Sequence, residues 1–391
     1  MRFVYIGSFR LPNGDAAAAR VLNVARALRL AGHEVSFVSW GGMEQWKDTD
    51  TGKECAVDGF PYVVTSEIDF KGGIVEKAKA WLFQGERTKR ILRERLGQYD
   101  AVISYNGSII SWLVGFCRKH KIILVSDLTE WYSYSELKLL DIPGYIWNMY
   151  VTQKKVDHKI TISSYLADYY KTSHNIVIPA TCDAAEEKWH VGKEKAIKVA
   201  GTFDGITLIY AGNPARKDAV HHAINAVQRL IDEGYPIRFL LLGTQRETYL
   251  KNYSDLLSKK VLSEKIQFMG RISQDDVPSY YSIADFMVLL RESNRKSNAG
   301  FPTKFAESMT SGTPVIANLT SDLGNYLKDG ETGFVVSEPS EGAIYQVLHE
   351  KVLLLERKQI DRKKQKVLAI AKELDYHTFK EPLALFVEHL K

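Results

Sequence analysis

Cysteine is scarce in this chain. Only Cys55, Cys117 and Cys182 occur, far apart, so neither a disulfide framework nor a cysteine-based zinc site is written into it, and a reducing cytoplasm is the expected compartment. Long apolar runs are missing too: none reaches the roughly eighteen residues that a membrane-crossing helix needs. Met1-Arg2-Phe3-Val4-Tyr5-Ile6-Gly7 enters a strand rather than a signal peptide. No Gly-x-Gly-x-x-Gly follows that strand, which disfavours a dinucleotide-dependent dehydrogenase. No His or Cys cluster has metal-ligand spacing. His221 and His222 are adjacent and are expected to face different ways on a helix.

What is present is an ordinary globular composition, 45% hydrophobic and 25% charged over 391 residues. That length exceeds one usual core, so two domains are expected. The net charge of +5 is unevenly placed. Residues 71–97 hold eight Lys or Arg against three Glu, with Trp81-Leu82-Phe83 among them. This composition suits either a helix lying on anionic lipid or an ordinary solvated face. Residues 351–372 hold eight Lys or Arg against two acids and read as a solvated face. Nucleic acid is disfavoured as a partner, because no recognition motif accompanies the basic stretches.

Apolar runs alternate with helical patterns. Phe3–Ile6 and Val35–Val38 read as strands flanking a helix from about Asp15, its cap, to Ala31. Further strands are expected at Ala101–Ser104, Ile122–Val125, Lys159–Ser163 and Asn175–Pro179. Residues 183–205 are polar and read as the connection to a second α/β set. That set has strands at Ile206–Gly212, Arg238–Gly243, Lys265–Gly270 and Phe286–Leu290, and helices near 218–233 and at Val277–Ile283. The domains expected are 1–182, with a C-terminal helix from 377–391 returning to it, and 206–376. Two doubly wound, Rossmann-like halves in series follow from the βαβ pattern.

The most informative stretch is Asn298-Ala299-Gly300-Phe301-Pro302-Thr303-Lys304-Phe305-Ala306-Glu307. It follows a buried strand, turns at Gly300 and Pro302, and enters a helix whose first N–H groups form a ready phosphate site. Glu307 lies one to two turns in, within reach of a sugar hydroxyl beside that phosphate. Then come Gly312-Thr313-Pro314-Val315-Ile316 and Asp329-Gly330-Glu331-Thr332-Gly333. Together these segments resemble the signature of retaining glycosyltransferases of the GT-B fold, family-four type, and in particular members associated with capsule or lipopolysaccharide assembly. The resemblance implies two Rossmann-like domains facing across a cleft, the first for the acceptor and the second for a nucleotide-sugar donor. It also implies retention through front-face attack, with the donor phosphate as base. The chain departs from the pattern at Ala299, where the family has a first Glu that contacts the donor sugar.

The resemblance carries further residues. In Gly212-Asn213-Pro214-Ala215-Arg216-Lys217, Lys217 matches a diphosphate-holding Lys. Asn213 stands where the family has an Arg, and Arg216 is a shifted substitute. The alternative is that Arg216 and Lys217 are exposed turn residues. Lys304 opposes the helix dipole, a misfit that favours a role at the donor phosphate or sugar over simple solvation. Glu307 is expected on the ribose. Gly300, Phe301 and Thr303 are expected around the donor, with Arg271 where the family's backbone touches the base. In the first half, Ser126-Asp127-Leu128-Thr129-Glu130-Trp131 suggests an acceptor site, with Asp127 contacting sugar, Glu130 and Trp131 on the acceptor, and Gly14 and Asp15 facing the same space. Asp127 reads equally well as a helix cap. Asp48-Thr49-Asp50 has the Asp-x-Asp form of metal-dependent glycosyltransferases of another fold, but it sits in a polar loop and reads as a surface turn. The expected activity is transfer from a nucleotide sugar, UDP-linked, to a lipid-linked or cell-surface glycan. It is expected to need no metal or other cofactor and to occur in the cytoplasm or at the inner membrane face. The rivals are a catalytically weak nucleotide-sugar or partner-binding homologue and a nucleotide-sugar epimerase.

Overall fold

The structure is a computed structural model that describes residues 1–12, 15–39, 54–65, 85–214, 218–259 and 261–390. The chain forms two compact units, Met1–Thr181 with Tyr376–Lys391, and Cys182–Asp375.

The first unit is built on strands β1 (Arg2–Gly7), β2 (Glu34–Ser39), β3 (Glu54–Val57), β4 (Phe60–Val64), β5 (Ala101–Tyr105), β6 (Ile123–Leu128), β7 (His158–Thr161) and β8 (His174–Val177). Their order in the sheet is β3-β4-β2-β1-β5-β6-β7-β8. All neighbours run parallel except β3 against β4. Phe3, Val4, Tyr5 and Ile6 are all buried, as a central strand covered on both faces requires. The helix Ala16–Leu30 starts where Asp15 accepts a hydrogen bond from the Ala18 N–H (2.8 Å), and it buries Val21, Val24, Ala25 and Leu28. The C-terminal helix Lys380–Glu388 sends Leu383, Phe386 and Val387 into the same core as Phe3, Tyr5 and Val21.

The second unit carries β9 (Ile206–Ala211), β10 (Ile237–Leu242), β11 (Ile266–Gly270), β12 (Phe286–Leu289), β13 (Val315–Asn318) and β14 (Gly333–Val336), in the order β11-β10-β9-β12-β13-β14. Every pairing is parallel. Leu208, Ile224, Val227, Phe239, Phe286 and Ile316 form its core. Each such side chain, fully buried, contributes about 1.5–3 kcal/mol relative to exposure.

Three expectations need correction. Residues 183–205 are no free connection: they belong to the second unit and include the helix Glu194–Ala200. The helix end is held there because Arg238 donates to the Ala200 and Gly201 carbonyls (2.9 and 3.0 Å). The basic stretch 351–372 is not merely solvated. Arg357 pairs with Asp285, Lys363 donates to the Gly330 carbonyl, and Lys364 donates to the Ala284 carbonyl (2.6 Å). Long cationic stems here cap loop carbonyls while their methylenes pack. His221 and His222 do not diverge: their rings lie 4.0 Å apart. Among the described residues no helix is long and apolar enough to cross a membrane.

Candidate functional site

Parallel strands leave their carboxyl ends in loops, and in the second unit four of these ends are laced together. Two glycines make that possible. Gly212, just past β9, has φ +132°, and a Cβ there would lie 2.3 Å from Lys304 Cε. Gly243, just past β10, has φ +101°, and a Cβ there would lie 2.4 Å from the Gly212 carbonyl oxygen. Both positions combine a left-handed backbone with close approach, so only glycine fits without displacement. Beyond β12, Arg291 donates its N–H to Asn318 Oδ1 (2.8 Å) and its carbonyl accepts from Asn318 Nδ2 (2.7 Å), which ties β12 to the end of β13. Ala219 N–H donates to the Leu290 carbonyl (2.8 Å).

A charged cluster fills this corner. Asp218 is fully buried. Its Oδ1 accepts from Arg291 Nε (2.7 Å), and its Oδ2 accepts from Lys304 Nζ and from the Tyr210 hydroxyl (2.7 Å). Lys304 Nζ also donates to the Tyr210 hydroxyl oxygen (2.6 Å) and lies 4.4 Å from the Tyr210 ring centre. Burial acts to raise the Asp218 pKa, but the adjacent Arg291 and Lys304 charges overcome it and hold the carboxyl well below the usual carboxylate range. Burial, reinforced by Asp218, pushes the Tyr210 hydroxyl far above its ordinary value.

Lys304 is the second residue of the helix Thr303–Thr310, whose N-cap is Pro302. An α-helix leaves its first N–H groups without an intrahelical acceptor. The misfit of a cation at this helix start is thus explained: Asp218 compensates it. Glu307, one turn on, is half-buried, and its carboxylate accepts no hydrogen bond from the described residues. Burial pushes its pKa above the ordinary value, against the opposing pull of Lys188 and Lys304.

The remaining expected residues fall as follows. Gly14, Arg216 and Lys217 lie outside the described residues, as do Asp48-Thr49-Asp50, Trp81 and Phe83. Asn213 and Arg271 are exposed, the latter at the end of edge strand β11. Gly300 has φ −90°, an ordinary extended value, so the turn does not demand glycine there. Thr303 opens the helix. Phe301 is a core residue whose ring meets Phe305 and Tyr326 edge-on at 5.9 Å.

In the first unit, Asp127 is not at a strand's open end. β6 runs on to Leu128, so Asp127 pairs in register with Tyr105 and points into the core. It is fully buried, bonded by Arg20 (2.8 Å) and by the Tyr5 hydroxyl. Its carboxylate is engaged by these two side chains instead of capping a helix. Trp131 is buried between Tyr150 and Tyr169, with ring centres at 5.6 and 4.8 Å, and offers no stacking face. Glu130 beside it is exposed. Asp15 is occupied as the helix cap described above. Of residues 71–97, the described helix Glu86–Glu94 neutralises part of its charge internally through Glu86–Lys89 (2.5 Å) and Glu94–Arg90 (3.7 Å).

Tyr210, Asp218 and Arg291 were not foreseen. The rule applied to the loop after β9, polar residues just past a buried strand, points equally to Arg291 after Phe286–Leu290. Among the described residues no group of His, Cys, Asp or Glu is placed to hold a metal ion.

Residues 193–369 match the family glycosyl transferases group 1. That segment contains the whole cluster. The chain is also similar to Anabaena HepE, solved in complex with UDP and glucose, at 14% identity over all of both chains and a TM-score of 0.69. Sucrose-phosphate synthase of Thermosynechococcus elongatus superposes at a TM-score of 0.71, with 15% identity over 100% of this chain and 98% of that one. At these identities the likeness shows the fold, which is GT-B with two Rossmann-like units. Among curated proteins, WcaL of Escherichia coli strain K12, named for colanic acid biosynthesis, is 23% identical over 144 residues, 37% of this chain and 35% of WcaL. The curated relatives matched are covered over 35–42% of their own length.

Proposed function

We propose that this chain is a glycosyltransferase that takes a sugar from a nucleotide-sugar donor, UDP-linked, and passes it with retention to a lipid-linked or cell-surface glycan. The observation that carries the reading is the Asp218–Lys304–Arg291 cluster, set at the carboxyl ends of β9 and β12 beside the start of helix Thr303–Thr310. Negative charge grows on the diphosphate as the sugar leaves, and fixed cations and helix N–H groups stabilise it there. Glu307, half-buried one turn beyond Lys304, suits the ribose hydroxyls. In this reading the second unit binds the donor and the first the acceptor, and the reaction needs neither metal nor other cofactor. The UDP complex of HepE supports the choice of nucleotide, and WcaL supports a glycan acceptor. The basic, Trp81-containing sequence 71–97 is the part of the chain we assign to anionic lipid, at the cytoplasmic face of the membrane.

The test is transfer from a panel of UDP-sugars to a lipid-linked glycan in the presence of chelator. The expected result is turnover with the product's anomeric configuration retained. Activity lost in chelator and restored by Mn²⁺ or Mg²⁺ refutes metal independence. No turnover and no hydrolysis from any nucleotide sugar refutes the enzyme.

A further inference from the structure

Resting on the reading that the second unit binds a nucleoside diphosphate, we propose that Arg291 is the arginine that holds the diphosphate in this chain, and that Asp218 is its positioning residue. The loop after β9 offers Asn213, not arginine, at its first position past Gly212. Arg291 reaches the same corner from the end of β12, across 73 residues of sequence.

Its bonding is incomplete in an informative way. Among the described residues only its Nε is engaged, on Asp218 Oδ1 at 2.7 Å. Among the described residues neither terminal nitrogen has a recorded hydrogen bond, and neither is a buried orphan. The 13% of the side chain that stays exposed therefore includes that tip. A guanidinium offers five donors in a rigid fork. With Nε on a carboxylate, the end-on pair of N–H groups, one from each terminal nitrogen, is still free to donate, a geometry suited to paired oxygens such as those of a phosphate.

Asp218 does more than neutralise. Its two oxygens bind Arg291 and Lys304 separately, so two like charges are held side by side that would otherwise repel. The cluster Asp218–Arg291–Lys304 keeps a net single positive charge for an incoming anion. Tyr210 beneath them closes the remaining Asp218 valence. Gly212 lets Lys304 pass, since any side chain there meets Lys304 Cε.

This arrangement makes an unusual prediction. Asp218→Asn removes a negative charge beside the proposed phosphate, so charge alone predicts tighter binding of an anion. If Asp218 aims the two cations, binding weakens instead. The experiment is calorimetric titration of the full-length protein with UDP and with UMP, run beside a thermal melt. Arg291→Gln is expected to weaken UDP on the order of 10- to 100-fold, the range for a lost charge-assisted hydrogen bond. It should also reduce the preference for UDP over UMP. Arg291→Lys, which keeps the charge on Asp218 without the fork, is expected to lie between wild type and Arg291→Gln, and carries the test should Arg291→Gln fail to melt cooperatively. Asp218→Asn is expected to weaken UDP. Wild-type affinity and wild-type UDP preference in Arg291→Gln and Arg291→Lys overturn the arginine assignment while leaving nucleotide binding intact. Tighter UDP binding by Asp218→Asn overturns its positioning role. A wild-type protein that binds neither nucleotide overturns the parent reading and this one together.

Discussion

Asp127 in the first unit and Asp218 in the second are both buried and both pair with arginine, and they differ in what the arginine has left to give. In the first unit Arg20 spends its whole fork. Nε and one terminal nitrogen bond Asp127 (3.1 and 2.8 Å), and the other donates to the Ile178 and Pro179 carbonyls (2.8 and 3.1 Å). Tyr5 completes the acid. In the second unit Arg291 uses, among the described residues, Nε alone, and Asp218 divides its oxygens between Arg291 and Lys304. The first pair is closed and ties helix Ala16–Leu30 to β1, β6 and the chain just past β8. The second is open at its tip. The first pair is used up in holding the fold, and the second, at strand ends, keeps donors for the ligand proposed above.

The largest effect expected from breaking this contrast is on stability. Asp127→Ala strands Arg20 as an uncompensated buried charge and should cost about 3–5 kcal/mol, read by urea denaturation, while UDP affinity stays at the wild-type value. A loss of UDP affinity in a folded Asp127→Ala protein returns Asp127 to the site. Next is Lys304→Ala, which should weaken UDP on the order of 10- to 100-fold by calorimetry, because Asp218 then draws on Arg291 alone. Unchanged affinity removes Lys304 from the donor site.

A third test uses pH. The Asp218 carboxyl is held below its ordinary value of 3.8, so its stabilising contribution is complete above that value and is lost as pH falls through the lower, folded one. Glu307 is shifted the other way, above 4.5. Free-protein stability tied to it is present below that value and is lost as pH climbs through the raised one. With Glu307 on the ribose as proposed, donor binding would need the ionised carboxylate, so UDP affinity should fall on the acid side above the usual carboxylate range. Glu307→Gln should abolish that limb, and an unchanged limb moves the titration elsewhere. The smallest effect belongs to Asp15→Ala, which removes a helix cap and should cost about 1 kcal/mol in denaturation, with UDP binding untouched.

Much of the fold was legible because its central strands are apolar on both faces. Phe3–Ile6, Ile206–Ala211 and Phe286–Leu289 stand out as continuous runs for that reason. The antiparallel edge pair Glu54–Val57 and Phe60–Val64 was not anticipated, since its outer strand is half exposed. Asp127 was misjudged through a strand end placed three residues early, which turned an inward side chain into a loop residue. Lys304 was found because a lysine at a helix start looks wrong in isolation. Its partner was invisible: Asp218 lies 86 residues away, and only the sheet order, which puts β9 beside β12, brings Asp218, Arg291 and Lys304 to one corner. Local pattern names strands and helix starts, whereas a charge cluster assembled across a parallel sheet is a property of topology.

The most direct measurement is a crystal structure of the protein grown with UDP. The diphosphate should lie against the terminal nitrogens of Arg291 and the first N–H groups of helix Thr303–Thr310, with the ribose hydroxyls on Glu307. UDP bound elsewhere, or Arg291 turned away from its phosphates, contradicts the account.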